Sequence, residues 1–365
     1  MMQMGNKRWV DYLSQERIGL RSELILFPLF VISRLYGWIV LARLKLYQRG
    51  ILKEKQLPCK VISVGNMTLG GTGKTPMVAY LAKELQKRDI KVGILSRGYK
   101  GFKERKGGLL SDGINIYMTP AEAGDEPYML AQKLAGVPLM VGKNRYVMGL
   151  YGYEKFGLDV VLLDDGFQHV ALKRDLDIVL IGARSGFGNN HLFPRGPLRE
   201  PIEGLRRASI VVISKAESSE LPGDIGGILR RLTPAVPIYQ SRYKPMYLLE
   251  PASGTVFPPD YLRGRRVLAF AGVADPGYFV HVLKLLGAEV VKEVHFPDHH
   301  RYAPTDLVIM GEYMNQAELF VTTEKDFVKL QNVHMDALPI VVLGIEQEIL
   351  EGESFLQKVL SVIIA

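Results

Sequence analysis

The sequence predicts an α/β protein: a doubly wound, mostly parallel sheet with a second, smaller α/β lobe behind it and an apolar helix ahead of both. Three observations predict this. Short, unbroken apolar runs recur along the chain with helical stretches between them. The runs do not alternate with polar residues, so their strands must be covered on both faces. A run of prolines then separates a first series of such units from a second.

The elements follow in order. From Leu24 to Leu46 the chain reads LILFPLFVISRLYGWIVLARLKL, with Arg34, Arg43 and Lys45 as its only charges. A helix of that length is about 34 Å long at 1.5 Å per residue, nominally enough for a bilayer's hydrocarbon. Arg34 near its middle and a kink expected at Pro28 favour a helix lying in the membrane interface. No small-residue cleavage site follows, which argues against a removable signal peptide.

Val61 to Val64 is the first strand, and Met77 to Leu85 reads as a helix. Between them stands Gly70-Gly71-Thr72-Gly73-Lys74-Thr75-Pro76. A strand, a glycine-rich turn and a helix N-terminus make a phosphate cradle, because backbone N–H groups and the helix dipole point at one anion. Lys74 suits the β- and γ-phosphates and the Thr75 hydroxyl suits Mg²⁺. The fold is thus of the P-loop NTPase type, although Thr68 stands where that motif has its first glycine.

Further strands are expected at Lys91–Ser96, Val137–Val141, Asp159–Asp165, Asp177–Ile181 and Ile210–Ser214. The pair Asp164-Asp165 closes one of them, which is where such an enzyme keeps a metal-associated carboxylate. Gly166-Phe167-Gln168-His169 follows, and His169 is read as a ligand contact or as a satisfied polar residue. Asp125 and Glu126 precede a helix expected over Tyr128–Leu134; as plain caps they need no further role. A second-lobe segment, Phe296-Pro297-Asp298-His299-His300-Arg301-Tyr302, offers an imidazole that a carboxylate can orient as a proton acceptor. At most one of the two histidines is expected to do this, and no further ligands recur at zinc spacing.

The long loop 184–201 carries Asn189, Arg195, Arg199 and Glu200, donors and an acid that suit a phosphorylated sugar. Residues 206–267, rich in proline, are expected to be an irregular connection. Strands then recur at 267–271, 289–294, 319–323 and 340–343, with Lys325 and Asp326 after the third as weaker candidates for base or headgroup contacts. The expected division is 1–50, a membrane-associated helical segment; 51–245, the nucleotide-binding core; 246–350, the second lobe; and 351–365, a C-terminal helix.

Composition fits this plan. The 365 residues are 47% hydrophobic, enough for a sizeable core, and a net charge of +8 favours anionic partners. A single cysteine, Cys59, excludes a disulfide framework and a cysteine-rich zinc site. A GTPase or metallochaperone regulator would select guanine with N-K-x-D, and Ser214-Lys215-Ala216-Glu217 matches that poorly. A membrane-bound nucleotide sensor would not need Asp125 and His299.

Taken in order, GNMTLGGTGKTP (65–76), SRGY (96–99), GDEP (124–127), LLDDGFQH (162–169), RDLDIVL (174–180), FPRGPLREP (193–201), AFAGVADP (269–276), FPDHHRY (296–302) and TEKD (323–326) resemble the tetraacyldisaccharide 4'-kinases. The resemblance implies transfer of the γ-phosphate of ATP to the 4'-hydroxyl of a tetraacylated glucosamine disaccharide 1-phosphate, giving the bisphosphorylated lipid A precursor, at the cytoplasmic face of the bacterial inner membrane. It implies Thr68, Gly70, Gly71, Thr72, Gly73, Lys74 and Thr75 around ATP, and Thr75, Asp164 and Asp165 around Mg²⁺. Asp125 with His299 becomes the proton acceptor, and Glu126, His169, Asn189, Arg195, Arg199 and Glu200 become acceptor contacts. The partners are then the lipid and the membrane surface, with no nucleic acid and no obligate protein. Val170 and Val273-Ala274-Asp275-Pro276 depart from the family's usual residues at peripheral positions.

Overall fold

The computed structural model describes residues 20–217, 221, 223–330 and 338–364. A long helix, α1 (Leu20–Gln48), precedes β1 (Lys60–Asn66), α2 (Lys74–Gln86), β2 (Val92–Ser96), β3 (Gly108–Ser111), α3 (Pro120–Ala123), α4 (Asp125–Lys133), β4 (Leu139–Val141), α5 (Arg145–Phe156), β5 (Val160–Asp164), β6 (Leu176–Gly182) and β7 (Ile210–Ser214). After α6 (Gly223–Leu232) come β8 (Ile238–Glu250), β9 (Thr255–Phe257), β10 (Arg266–Ala271), α7 (Pro276–Leu285), β11 (Glu289–His295), α8 (Pro304–Gly311), β12 (Leu319–Thr323), α9 (Glu324–Leu330), β13 (Ile340–Ile349) and α10 (Gly352–Ile364).

One 13-stranded sheet runs through both lobes in the order β11-β10-β12-β13-β8-β7-β6-β1-β5-β2-β4-β3, with β9 paired to β8. Its apolar strands are fully buried in the middle of the first lobe, as at Ile62, Val64, Leu162 and Ile178. That burial is why they carry unbroken apolar runs, and why the pairs β1–β5, β1–β6, β2–β5 and β6–β7 are all parallel. On one face α2 buries Met77, Leu81 and Leu85, and α10 returns from the second lobe to add Phe355, Leu356 and Val359 to the same core. The other face is filled by Phe167, Phe187, Leu198, Leu205 and Leu229. The second lobe has its own cores, one around Phe279 and Leu283 and one around Phe296, Phe320 and Met310.

Among its described residues, the expected loose connection over 206–267 is instead built of regular elements. Besides β7, which was expected, it contains α6, β9 and the 13-residue β8, whose first residues lie parallel to β7 while the rest runs antiparallel to β13. Pro245 escaped a strand reading because it has no N–H; it sits opposite Ile345, beside a register shift at Gly344/Ile345, where the ladder is already irregular. A boundary at 245/246 therefore falls inside a strand and not in a linker. The helix expected from Tyr128 starts earlier, at Asp125, which puts Asp125 and Glu126 in its first turn.

Helix α1 runs unbroken through Pro28. Its most apolar stretch lies in Leu26–Gln48, with a mean hydropathy of 1.4 and only 17% of that window buried. Phe27, Leu35, Trp38 and Ile39 are all more than half exposed. The face that is covered meets loop 184–201: the Tyr36 hydroxyl donates to Arg199 O at 2.7 Å, and the Phe30 ring meets His191 edge-on at 5.8 Å.

Candidate active site

The carboxyl ends of β1, β5 and β2 meet at one edge of the sheet, where a doubly wound fold leaves a crevice. A cleft of about 1000 Å³ opens there between the lobes, lined by Gly70 to Thr75, Ser96, Tyr99, Glu126, Asp164, Asp165, Arg199, His299 and Lys325 among others.

The turn after β1 is shaped by its glycines. Gly70 has φ 113° and Gly73 φ 85°, left-handed values that a side chain would strain. No side chain caps α2, so the first N–H groups of that helix face the cleft unclaimed. Thr68 is not part of that turn: it forms an isolated antiparallel bridge with Leu198, an extended position that asks for no glycine. Thr72 accepts from Asn66 Nδ2 at 2.9 Å, which holds the turn onto the end of β1. Across the cleft, Tyr243 and Ala274 of the second lobe stand so close to Gly73 and Gly71 that a Cβ on either glycine would meet them at 2.8 and 3.2 Å.

Behind the turn sit the two aspartates, in different states. Asp164 ends β5, is 4% exposed and accepts from Ser96 Oγ at 3.1 Å, while its Oδ1 is buried without a partner. Burial, then the charges of Glu126 and Asp165, push its carboxyl up to about 7. Asp165, at φ 56°, turns away and takes both oxygens to Arg199 Nη1 at 2.7 Å, with Lys74 Nζ 3.6 Å off. Burial would raise its pKa too, but Lys74 and Arg199 outweigh that and hold it low. Gly65 makes this loop possible, since a Cβ there would lie 2.5 Å from Phe167 Cβ.

Asp125 and His299, 174 residues apart, meet as the sequence suggested: His299 Nδ1 lies 3.1 Å from Asp125 Oδ2. The hydrogen bond and charge of His299 overcome burial and lower the Asp125 pKa. His300 points elsewhere, bonded to Asp306 at 2.9 Å and stacked on Phe296, so a zinc site shared with His299 has no geometry to support it. Glu126 accepts from Thr75 Oγ1 at 3.1 Å and from Lys325 Nζ at 2.6 Å. Burial works against its charge, but Lys325 and Lys74 prevail and lower its pKa to about 2.

The other expected acceptor contacts divide. Arg199 lines the cleft. Glu200 is only 1% exposed and anchors Arg207 and Gln168, so it shapes the wall and does not face it. Asn189 is buried and braces its own loop through Arg195 O and His191 N, again behind the surface. Arg195 is partly buried in that loop. His169 lies off the cleft; burial and the cations Arg145 and Arg174 lower it to about 4, so it stays neutral. Lys215, the residue nearest to a guanine-reading lysine, is committed to Asp275 at 2.7 Å. Ser96, Gln168 and Tyr243 belong to the site but lacked a signal of their own; Ser96 and Gln168 stood only inside longer motifs.

Among the described residues no three His, Cys, Asp or Glu side chains cluster as metal ligands. A hydroxyl, one carboxylate and phosphate oxygens are the usual set for a Mg²⁺ carried by a nucleotide, and Thr75 with the orphaned Asp164 oxygen fits it.

Comparison with known proteins decides the family. The sequence profile described as tetraacyldisaccharide-1-P 4'-kinase matches residues 25–364. The chain belongs to that family. A tetraacyldisaccharide 4'-kinase of Desulfatibacillum aliphaticivorans is 41% identical over 335 residues, covering 89% of both chains. One from Syntrophus aciditrophicus strain SB is 41% identical over 343 residues, covering 90% of this chain and 91% of the relative. Among solved structures, LpxK of Aquifex aeolicus in complex with ATP matches with a TM-score of 0.72 and 34% identity, over 93% of this chain and 99% of that one. In the 4'-kinase family the P-loop, the paired aspartates and the interlobe cleft described above thus belong to an ATP-dependent phosphotransferase.

Proposed function

We propose that this 4'-kinase moves the γ-phosphate of ATP to the 4'-hydroxyl of a tetraacylated glucosamine disaccharide 1-phosphate, with His299 and Asp125 accepting the hydroxyl proton. The observation that carries this is the Asp125–His299 pair, whose imidazole lines the same cleft as the P-loop. With Nδ1–H donating to Asp125, His299 Nε2, which has Asp298 Oδ2 3.9 Å away, is the nitrogen left to take the proton. The 4'-oxygen then attacks the γ-phosphorus, the bond to the β–γ bridging oxygen breaks, and ADP leaves with that electron pair. Lys74 and the N–H groups of α2 hold the phosphates, and Thr75 with Asp164 would hold Mg²⁺. The chemistry such an ion would supply is positive charge to offset the charge developing on the transferring phosphate. Asp165 fixes Arg199, whose cation is available to the acceptor's anionic group.

Purified protein given Mg²⁺-ATP and the tetraacylated disaccharide 1-phosphate should yield a lipid heavier by one phosphate, read by mass spectrometry. Hydrolysis of ATP without a phosphorylated lipid would defeat this reading.

The same reading puts the protein at the cytoplasmic surface of the inner membrane. Support comes from the uncovered apolar flank of α1 beside the acceptor loop. Removing residues 1–48 should release the protein from liposomes and lower activity on bilayer-presented lipid, while high salt alone should detach the full chain only partly, because apolar burial is not screened. Equal co-sedimentation of the truncated protein would assign the anchor to another surface.

A further inference from the structure

Lys325 stands one residue outside the acid–base pair on both sides. Its Nζ donates to Glu126 at 2.6 Å and to Asp298 at 3.0 Å, and these residues are the immediate neighbours of Asp125 and His299. Two consecutive residues of α4 are thereby tied to two consecutive residues of the second lobe. Burial would lower the lysine's pKa, but Glu126 and Asp298 raise it, so the ammonium stays charged.

Both ends of this link are firm. Within α9, Asp326 is fully buried and receives the Gly272 N–H, the Tyr302 hydroxyl and the Thr323 hydroxyl. The preceding Glu324 pairs with Lys133 of α4 at 2.9 Å, so α9 grips α4 twice. On the other side Glu126 receives the Thr75 hydroxyl of the P-loop. His299, by contrast, is held at φ 63°, a left-handed conformation that costs a histidine energy and persists only where neighbours enforce it.

We propose that Lys325 is a positioning residue that couples the P-loop, through Glu126, to the placement of His299, through Asp298. It rests on the reading of His299 as the proton acceptor. A small displacement of a reacting group is enough to cost about 10²-fold in rate. Thr75, Glu126, Lys325 and Asp298 form one chain of polar contacts, so an occupied P-loop and a seated imidazole favour each other.

The test is a double-mutant cycle on the full-length enzyme with Lys325→Met and His299→Ala. Lys325→Met alone should lower kcat by about 10²-fold, the KM for ATP changing far less, and should add little once His299 is gone, because it acts through that ring. Lys325→Arg should recover part of the loss. Multiplicative losses in the double variant would overturn the proposal, since Lys325 would then act on the phosphate itself. If Lys325→Met does not fold, as judged by thermal melting, Asp298→Asn takes its place in the cycle with the same expectation and the same overturning result. If His299→Ala alone leaves kcat intact, it is the acid–base reading that fails. That outcome is distinct from a cycle in which both single losses are large and multiply.

Discussion

Lys74→Ala is expected to fold normally and to lose about 10³-fold in turnover, the upper range for removing one preorganised charge from a reacting centre. Lys74 is the first residue of α2, its side chain is 11% exposed, and its ammonium reaches the cleft 3.6 Å from Asp165. The fold does not depend on it. Asp165 keeps both of its bonds to Arg199 when the lysine is gone, and the core beneath α2 is apolar. Lys74→Arg should restore only part of the rate, because a planar fork does not replace a compact point charge over phosphate oxygens. Single-turnover phosphorylation and the melting temperature check this together. Turnover within tenfold of the parent, in protein that melts normally, would remove Lys74 from the phosphate site.

Asp125→Ala and His299→Ala should each lower kcat by about 10²–10⁴-fold with ATP binding near normal, which is the usual contribution of a general base. Their 3.1 Å contact makes the double variant the informative one. A pair acting as a unit loses its function when either member goes, so the double variant should be little slower than the worse single one. Phosphoryl transfer still draws most of its rate from positioning and charge neutralisation, and residual activity in all three variants is expected. Losses that multiply would mean that the aspartate and the imidazole act separately.

Much of this site was legible because its parts are short and local. Gly70 to Thr75, Asp164-Asp165 and Asp298 to His300 each state their chemistry within a few residues, next to a strand end that a buried apolar run makes visible. What stayed hidden depends on contacts across the chain. Arg199 reads as an acceptor donor in sequence, yet its guanidinium is bonded to Asp165, 34 residues away. Glu200 carries the same charge as Glu126, and only the fold decides that one is sealed against Arg207 and the other borders the cleft. Lys325 was visible as a charged residue after a strand, but its two partners lie 199 and 27 residues away. Strand β8 was missed for a different reason. Its burial alternates with period two as far as Tyr247, but the inward positions include Ser241 and Pro245, so the residues themselves do not read as a strand with one apolar face.

That strand also governs how the two lobes can move. Among the described residues the chain leaves the first lobe along β8 and returns to it along β13, and these two are hydrogen-bonded to one another as an antiparallel ribbon. A ladder of this kind resists stretching and sliding, because either would break several bonds together, but a two-stranded ribbon yields readily to torsion. Its softest point is the register shift at Gly344/Ile345, opposite Pro245, which offers no N–H to the ladder. Of the relative motions of the two lobes, rotation about the ribbon is the one this ladder opposes least. Such a rotation would shift His299 and Lys325 relative to α4, to which both are bonded.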